Sequence, residues 1–178
     1  TFFDNVKVPK ENLVGELNKG WSVAKALLVH ERKLMSEIGS DSPREIIVPN
    51  AAAREYLDFE NGKIADPQLR SDLVDYDMNM HAIGLTHFRT FEEKIAGVRS
   101  AAPMVMKYVG TEAEVTKSEL LLAIMGSQGL GWEGDGFSKS EIDTLRLWAM
   151  SKIMTIAGGT SEIQLNVIAK NVLQLPQS

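Results

Sequence analysis

Glu31 sits on a stripe otherwise built for burial. Trp21, Ala24, Leu28, Glu31, Met35 and Ile38 recur at intervals of 3, 4, 3, 4 and 3 residues, the spacing of one face of an amphipathic helix. Five of these side chains are apolar, and the sixth is a carboxylate. Its helical neighbours three and four positions away are Leu27, Leu28, Leu34 and Met35, and none can neutralise it. A glutamate on a core stripe is desolvated, and desolvation lifts a carboxyl pKa towards neutrality. That is the state a general base needs near pH 7. The alternative is a structural glutamate paired with an arginine or lysine of another helix, the usual fate of a buried carboxylate.

Two glycine segments could approach a ligand. In Ala157-Gly158-Gly159-Thr160-Ser161-Glu162-Ile163-Gln164, Ser161 and Gln164 read as a capping box that opens a helix. Glycines just before a helix N-terminus let a ligand reach the backbone, and the free N–H groups with the helix dipole favour an anion or a polarised carbonyl. An ordinary interhelical turn is the competing reading. The second segment, Gly126-Ser127-Gln128-Gly129-Leu130-Gly131-Trp132, could wrap a phosphate or be a plain surface loop. The histidines are His30, His81 and His87, and no Glu-x-x-His pair of the kind that builds a di-iron bundle is present. Asp77 and His81 share a face, which is too little for a metal. No metal site is expected.

The elements that carry these residues follow from composition and punctuation. The chain has 178 residues, 44% of them hydrophobic, enough for one domain with a real core. A net charge of -5 with scattered basic residues argues against nucleic acid and anionic membranes as partners. The absence of cysteine excludes disulfides and thiolate metal sites, and fits a reducing cytoplasm. No apolar run reaches spanning length. Thr1 to Pro9 alternates like a strand, with a turn at Asp4-Asn5, as though a β-rich region had been cut away before it. Asn18 is placed to cap a helix from about Lys19 to Ile38, and Gly39 to Asn50 is a break. Ala51 to Phe59 continues helically, and Glu60-Asn61-Gly62-Lys63 is a turn. Asp66 caps a long helix with Pro67 first, carrying Leu69, Leu73, Tyr76, Met80 and Ile83 as a bundle seam. Further helices start at Ser100, Ser138 and Ser161, and Pro176 closes the last. The predicted fold is all-α: an antiparallel four-helix-type bundle with an extra short C-terminal helix and an N-terminal strand remnant of a missing β-domain.

Taken together, these segments resemble the carboxy-terminal part of the acyl-CoA dehydrogenase family. Phe2-Phe3-Asp4-Asn5-Val6-Lys7-Val8-Pro9 is similar to the segment leaving that family's middle β-domain, and Gly15-Glu16-Leu17-Asn18-Lys19-Gly20-Trp21 to the entry of its first bundle helix. Gly158 to Gln164 and Ile168-Ala169-Lys170-Asn171-Val172-Leu173-Gln174-Leu175-Pro176 resemble its closing signature. The resemblance assigns residues 1–15 to the end of the β-domain and a linker, and 16–178 to the helical domain. It implies an FAD flavoprotein of fatty acid β-oxidation type. Such an oxidoreductase removes the α-proton of an acyl-CoA thioester, passes hydride to FAD, and hands electrons to an electron-transfer flavoprotein. It also implies self-association as a dimer or homotetramer, or as a mixed assembly.

The residue roles follow from the same resemblance. Most of the family carries its base directly before the Gly-Thr pair, where this chain has Gly158. A smaller branch, including isovaleryl- and long-chain-type enzymes, carries it on the first bundle helix, eleven residues after a glycine aligned with Gly20. That position is Glu31, and Arg32 beside it becomes the substrate-binding candidate. Gly158, Gly159, Thr160 and Glu162 take cofactor-binding positions, the last two towards the FAD of a neighbouring subunit. Gly126 and Gly129 match the loop on its pyrophosphate. The family's diphosphate clamp Arg-x-x-Phe-Gly reads Tyr56-Leu57-Asp58-Phe59-Glu60 here, without the arginine or the glycine, and Arg54 is the nearest substitute. The fragment alone is expected to be inactive. The rival expectation is a non-catalytic bundle, a partner subunit that keeps the fold without the flavin chemistry. The acyl group is left open: chain length, branching or a sterol-like skeleton.

Overall fold

The computed structural model describes residues 2–37, 47–98 and 100–176, with the side chains of residues 29 and 32–37 left out. The chain divides into two compact units, Thr1–Ser40 and Asp41–Ser178.

The first unit is an arm and one helix. Residues 2–9 bend at Asp4-Asn5, where Asn5 takes a φ of 51°. They form no strand, because a lone extended segment has no ladder partner among the described residues of this unit. A 3-10 turn, Lys10–Asn12, leads towards α1, Gly20–Glu37. Asn18 does not cap this helix. It lies in the left-handed region at φ 64°, and Ser22 closes the first turn by donating its hydroxyl to the Lys19 carbonyl at 2.7 Å. The stripe is not buried as its period suggests: Trp21 is 72% and Leu28 42% exposed, while Ala24 and Glu31 are half-buried. A single helix has no second layer of its own against which to bury a face. Ile38 lies outside the described residues.

The second unit is the bundle. Its elements are α2 (Pro49–Tyr56), a hairpin of β1 (Phe59–Glu60) and β2 (Lys63–Ile64), α3 (Pro67–Ile95), α4 (Ala102–Met125), α5 (Lys139–Met154) and α6 (Ser161–Asn171). α4 is the hub, packed against α2, α3, α5 and α6. Ala52, Ala53, Ile64, Leu73, Leu120, Leu121 and Ile124 form the core, so burial concentrates at the C-terminal half of α4. Local chemistry sets the boundaries. The Asp66 carboxylate accepts from the N–H groups of Gln68 and Leu69, with Pro67 opening α3. Asn61 and Gly62 both have positive φ, the two-residue turn that matches strand twist. Ser138 and Glu141 form a complete capping box on α5. The Ser100 hydroxyl accepts from the Ala102 N–H at 3.1 Å where α4 begins.

Candidate functional site

The α5–α6 junction is held from three sides. Gly158 and Gly159 take φ values of 68° and 105°, positive angles that glycine adopts with no Cβ penalty. Thr160 then returns to extended backbone and caps α6, its hydroxyl accepting from the Ile163 N–H at 3.4 Å. The cap is therefore Thr160 and not Ser161. The reversal at Gly159 sets the first extended residue one position earlier than the Ser161–Gln164 spacing implies. Ser161 instead donates its hydroxyl to the Glu112 carboxylate of α4. Gln164, buried, donates its amide to the Gly158 carbonyl at 3.0 Å. A Cβ on Gly159 would stand 2.7 Å from that amide nitrogen. The exposed Glu162 carboxyl is held below the usual carboxylate range by its own backbone N–H and by the Thr160 hydroxyl.

Lys107 of α4 completes the junction. Its ammonium donates to the Gly159 carbonyl at 2.7 Å and to the Thr155 carbonyl at 3.4 Å. Thr155 is the C-cap of α5, so the cation also meets the negative end of a helix dipole. Burial pushes the Lys107 pKa down, against the opposing pull of Glu112. Among the described residues no hydrogen bond takes up the N–H of Gly158, Gly159 or Thr160. Sequence reading missed Lys107 and Glu112. The available signal was a lysine inside the apolar run Met104 to Val109. Glu112 also lines an apolar cleft of about 340 Å³ between α3 and α4, with Tyr76, Met80, Ile83, Tyr108 and Val109.

The Gly126–Leu130 segment is a 3-10 turn folded back on α4. Gly129 is buried, and a Cβ there would lie 3.1 Å from the Leu122 carbonyl oxygen. At Gly131 a Cβ would lie 2.2 Å from the Phe137 ring. Gly126 is exposed at φ 56°. Arg146 clasps the far end, donating to the Trp132 carbonyl at 3.0 Å with its guanidinium 5.5 Å from the ring centroid.

Tyr56, at the end of α2, donates its hydroxyl to Glu141 Oε1 at 2.9 Å. Burial, then the Glu141 carboxylate, push the phenol pKa up. The other Glu141 oxygen accepts from the Ser138 N–H at 2.6 Å, which with these hydroxyl contacts holds the carboxyl below its usual range. Arg54 is exposed in the last turn of α2. Asp77 accepts from the Asn50 amide at 3.0 Å, so it is already engaged apart from any pairing with His81.

The candidate residues thus fall into groups. Gly158, Gly159, Thr160 and Glu162 come together at one junction, Gly126 and Gly129 share the α4–α5 connection, and Glu31 stands half-buried on α1 in the first unit. Arg32 follows Glu31 on α1, and its side chain lies outside the described residues. No helix among the described residues is long and apolar enough to cross a membrane.

Comparison with known proteins agrees with this architecture. The model of the acyl-CoA dehydrogenase C-terminal domain matches residues 18–173. Acyl-CoA dehydrogenase IpdE1 of Mycolicibacterium smegmatis is 28% identical over 181 residues, covering 99% of this chain and 42% of the relative. Two solved structures share the fold. The Tcur3481-Tcur3483 steroid ACAD has a TM-score of 0.63 at 23% identity, over 99% of this chain and 45% of that one. The ChsE4-ChsE5 complex from Mycobacterium tuberculosis has a TM-score of 0.62 at 22% identity, with the same coverage of 99% and 45%. The chain spans less than half the length of the curated relatives it matches. The chain belongs to the acyl-CoA dehydrogenase family, as a C-terminal domain.

Proposed function

We propose that this chain is the C-terminal part of an FAD-dependent enzyme that dehydrogenates an acyl-CoA thioester between its α and β carbons. The observation that carries the reading is the Gly158–Thr160 junction. There, three successive backbone N–H groups have no partner among the described residues, and no side chain stands at 158 or 159. Such a row of donors suits the acceptor edge of a flavin. When bound, FAD supplies the hydride acceptor. The chain's own share is acid–base chemistry and positioning. Glu31 takes the α-proton on its carboxylate, Arg32 beside it contacts the substrate, and Glu162 and Thr160 present polar groups at the α6 N-terminus. Gly126, exposed with open space beside its Cα, lets a diphosphate approach the backbone, and buried Gly129 packs the turn beneath it against Leu122. In the full-length protein, Glu31→Gln is expected to keep its flavin and lose dehydrogenase turnover by roughly 10²- to 10⁴-fold. Full turnover in that variant would assign the base elsewhere.

One observation favours a second reading. Tyr56 does not suit a diphosphate clamp, because its hydroxyl is committed to Glu141 and a neutral phenol offers no charge to a phosphate. The two solved neighbours are each named for a pair of proteins. A mixed assembly, in which this chain contributes the bundle and a partner chain holds the diphosphate, accommodates both facts. The flavin-to-chain ratio of the purified full-length protein separates the readings. One FAD per chain supports the self-sufficient enzyme, and flavin bound only after a second chain is added supports the mixed one.

A further inference from the structure

The N–H groups of the Gly158–Thr160 junction are aimed by side chains outside it. A trans peptide is planar, with its C=O and N–H on opposite sides. Fixing one end of the plane therefore fixes the direction of the other. Lys107 holds the Gly159 carbonyl at 2.7 Å, so the Thr160 N–H in that plane points away from the Lys107 ammonium. Gln164 holds the Gly158 carbonyl at 3.0 Å, and sets the Gly159 N–H in the same way. We infer that Lys107 is a positioning residue, which turns the Thr160 N–H outward as a preformed donor for the acceptor edge of the flavin.

This role rests on the flavin reading of the junction. A half-buried ammonium is a costly way to fill space, since hydrocarbon of the same length packs there without desolvating a charge. Its partners are two neutral carbonyls and not a carboxylate. The nearby Glu112 carboxylate accepts from Ser161. The cation thus joins the C-cap carbonyl of α5 to the peptide before α6, and it does so from a third helix. A charge-assisted hydrogen bond is about twice as strong as a neutral one, which suits a plane that must not rotate when the ligand is absent.

The test uses the full-length protein as Lys107→Met and Lys107→Arg, each titrated with FAD, with the flavin's visible bands and the melting temperature recorded. The expected result is flavin affinity roughly tenfold weaker in Lys107→Met, as for the loss of one charge-assisted hydrogen bond. The flavin bands should shift, helix content should be retained, and Lys107→Arg should recover most of the loss. Unchanged affinity and bands in Lys107→Met would overturn the role. So would a loss that tracks the melting temperature alone and is not rescued by arginine. A wild-type protein that takes up no flavin, alone or with a partner chain, removes the flavin reading itself and this role with it.

Discussion

The two glycine segments look alike as sequence and differ as structure. Between α4 and α5, Gly129 and Gly131 are buried, and the places of their missing Cβ atoms are filled by Leu122 and Phe137. There glycine serves packing. Between α5 and α6, Gly158 and Gly159 have positive φ, and the junction's N–H groups are left without partners among the described residues. There glycine serves exposure of the backbone, and Lys107 and Gln164 hold what glycine leaves loose. Glycine content alone marks neither role. What separates them is what stands beside the Cα: a backbone carbonyl at Gly129 and a packed ring at Gly131, against only the movable end of Gln164 at Gly159.

Substitution should pull the two segments apart. Gly131→Ala forces the Phe137 ring to move, since the new Cβ would stand 2.2 Å from it. The expected cost is about 3 kcal/mol, the upper end for overpacking, read as a fall in melting temperature. Gly159→Ala meets only the movable end of Gln164, but at φ 105° the backbone is strained. A cost of about 1–2 kcal/mol is expected in a denaturant melt, with Gln164 displaced from the Gly158 carbonyl. If Gly131→Ala proves the milder of the two, the packing role of the first segment is wrong.

The smallest effect concerns the anchor between them, the Glu141 cap of α5. Its carboxyl is held below the ordinary range in the folded chain, first by the Ser138 N–H. The stability it contributes is therefore complete above the unfolded carboxylate pKa and is lost as pH falls through the lower folded value. Glu141→Gln is expected to cost about 1 kcal/mol at neutral pH, as a weakened cap does. The gap in melting temperature between wild type and variant should close on acidification. A gap that stays constant down to strong acid would show that the charge plays no part.

What was legible in the sequence was local. Asp66, Ser138 and the Asn61-Gly62 turn each act on backbone within a few residues, so their types and spacing announce them. The Thr160 cap was misplaced by one residue because the reversal at Gly159 depends on a backbone angle that spacing does not encode. The contacts of Lys107 with Gly159, Ser161 with Glu112 and Tyr56 with Glu141 span 52, 49 and 85 residues, and no period connects such partners. The α1 stripe teaches the complementary lesson. Periodicity located a face, but Trp21 and Leu28 remain exposed, because a period does not say what covers it.

The most direct measurement is the FAD dissociation constant of the full-length protein, wild type against Gly159→Ala and Gly131→Ala, at a temperature where all three stay folded. The expected result is binding roughly tenfold or more weaker in Gly159→Ala, as for the loss of about one aligned polar contact, with Gly131→Ala matching wild type. Equal affinity in wild type and Gly159→Ala, or a loss confined to Gly131→Ala, would contradict the assignment of the α5–α6 junction as the surface that meets the flavin.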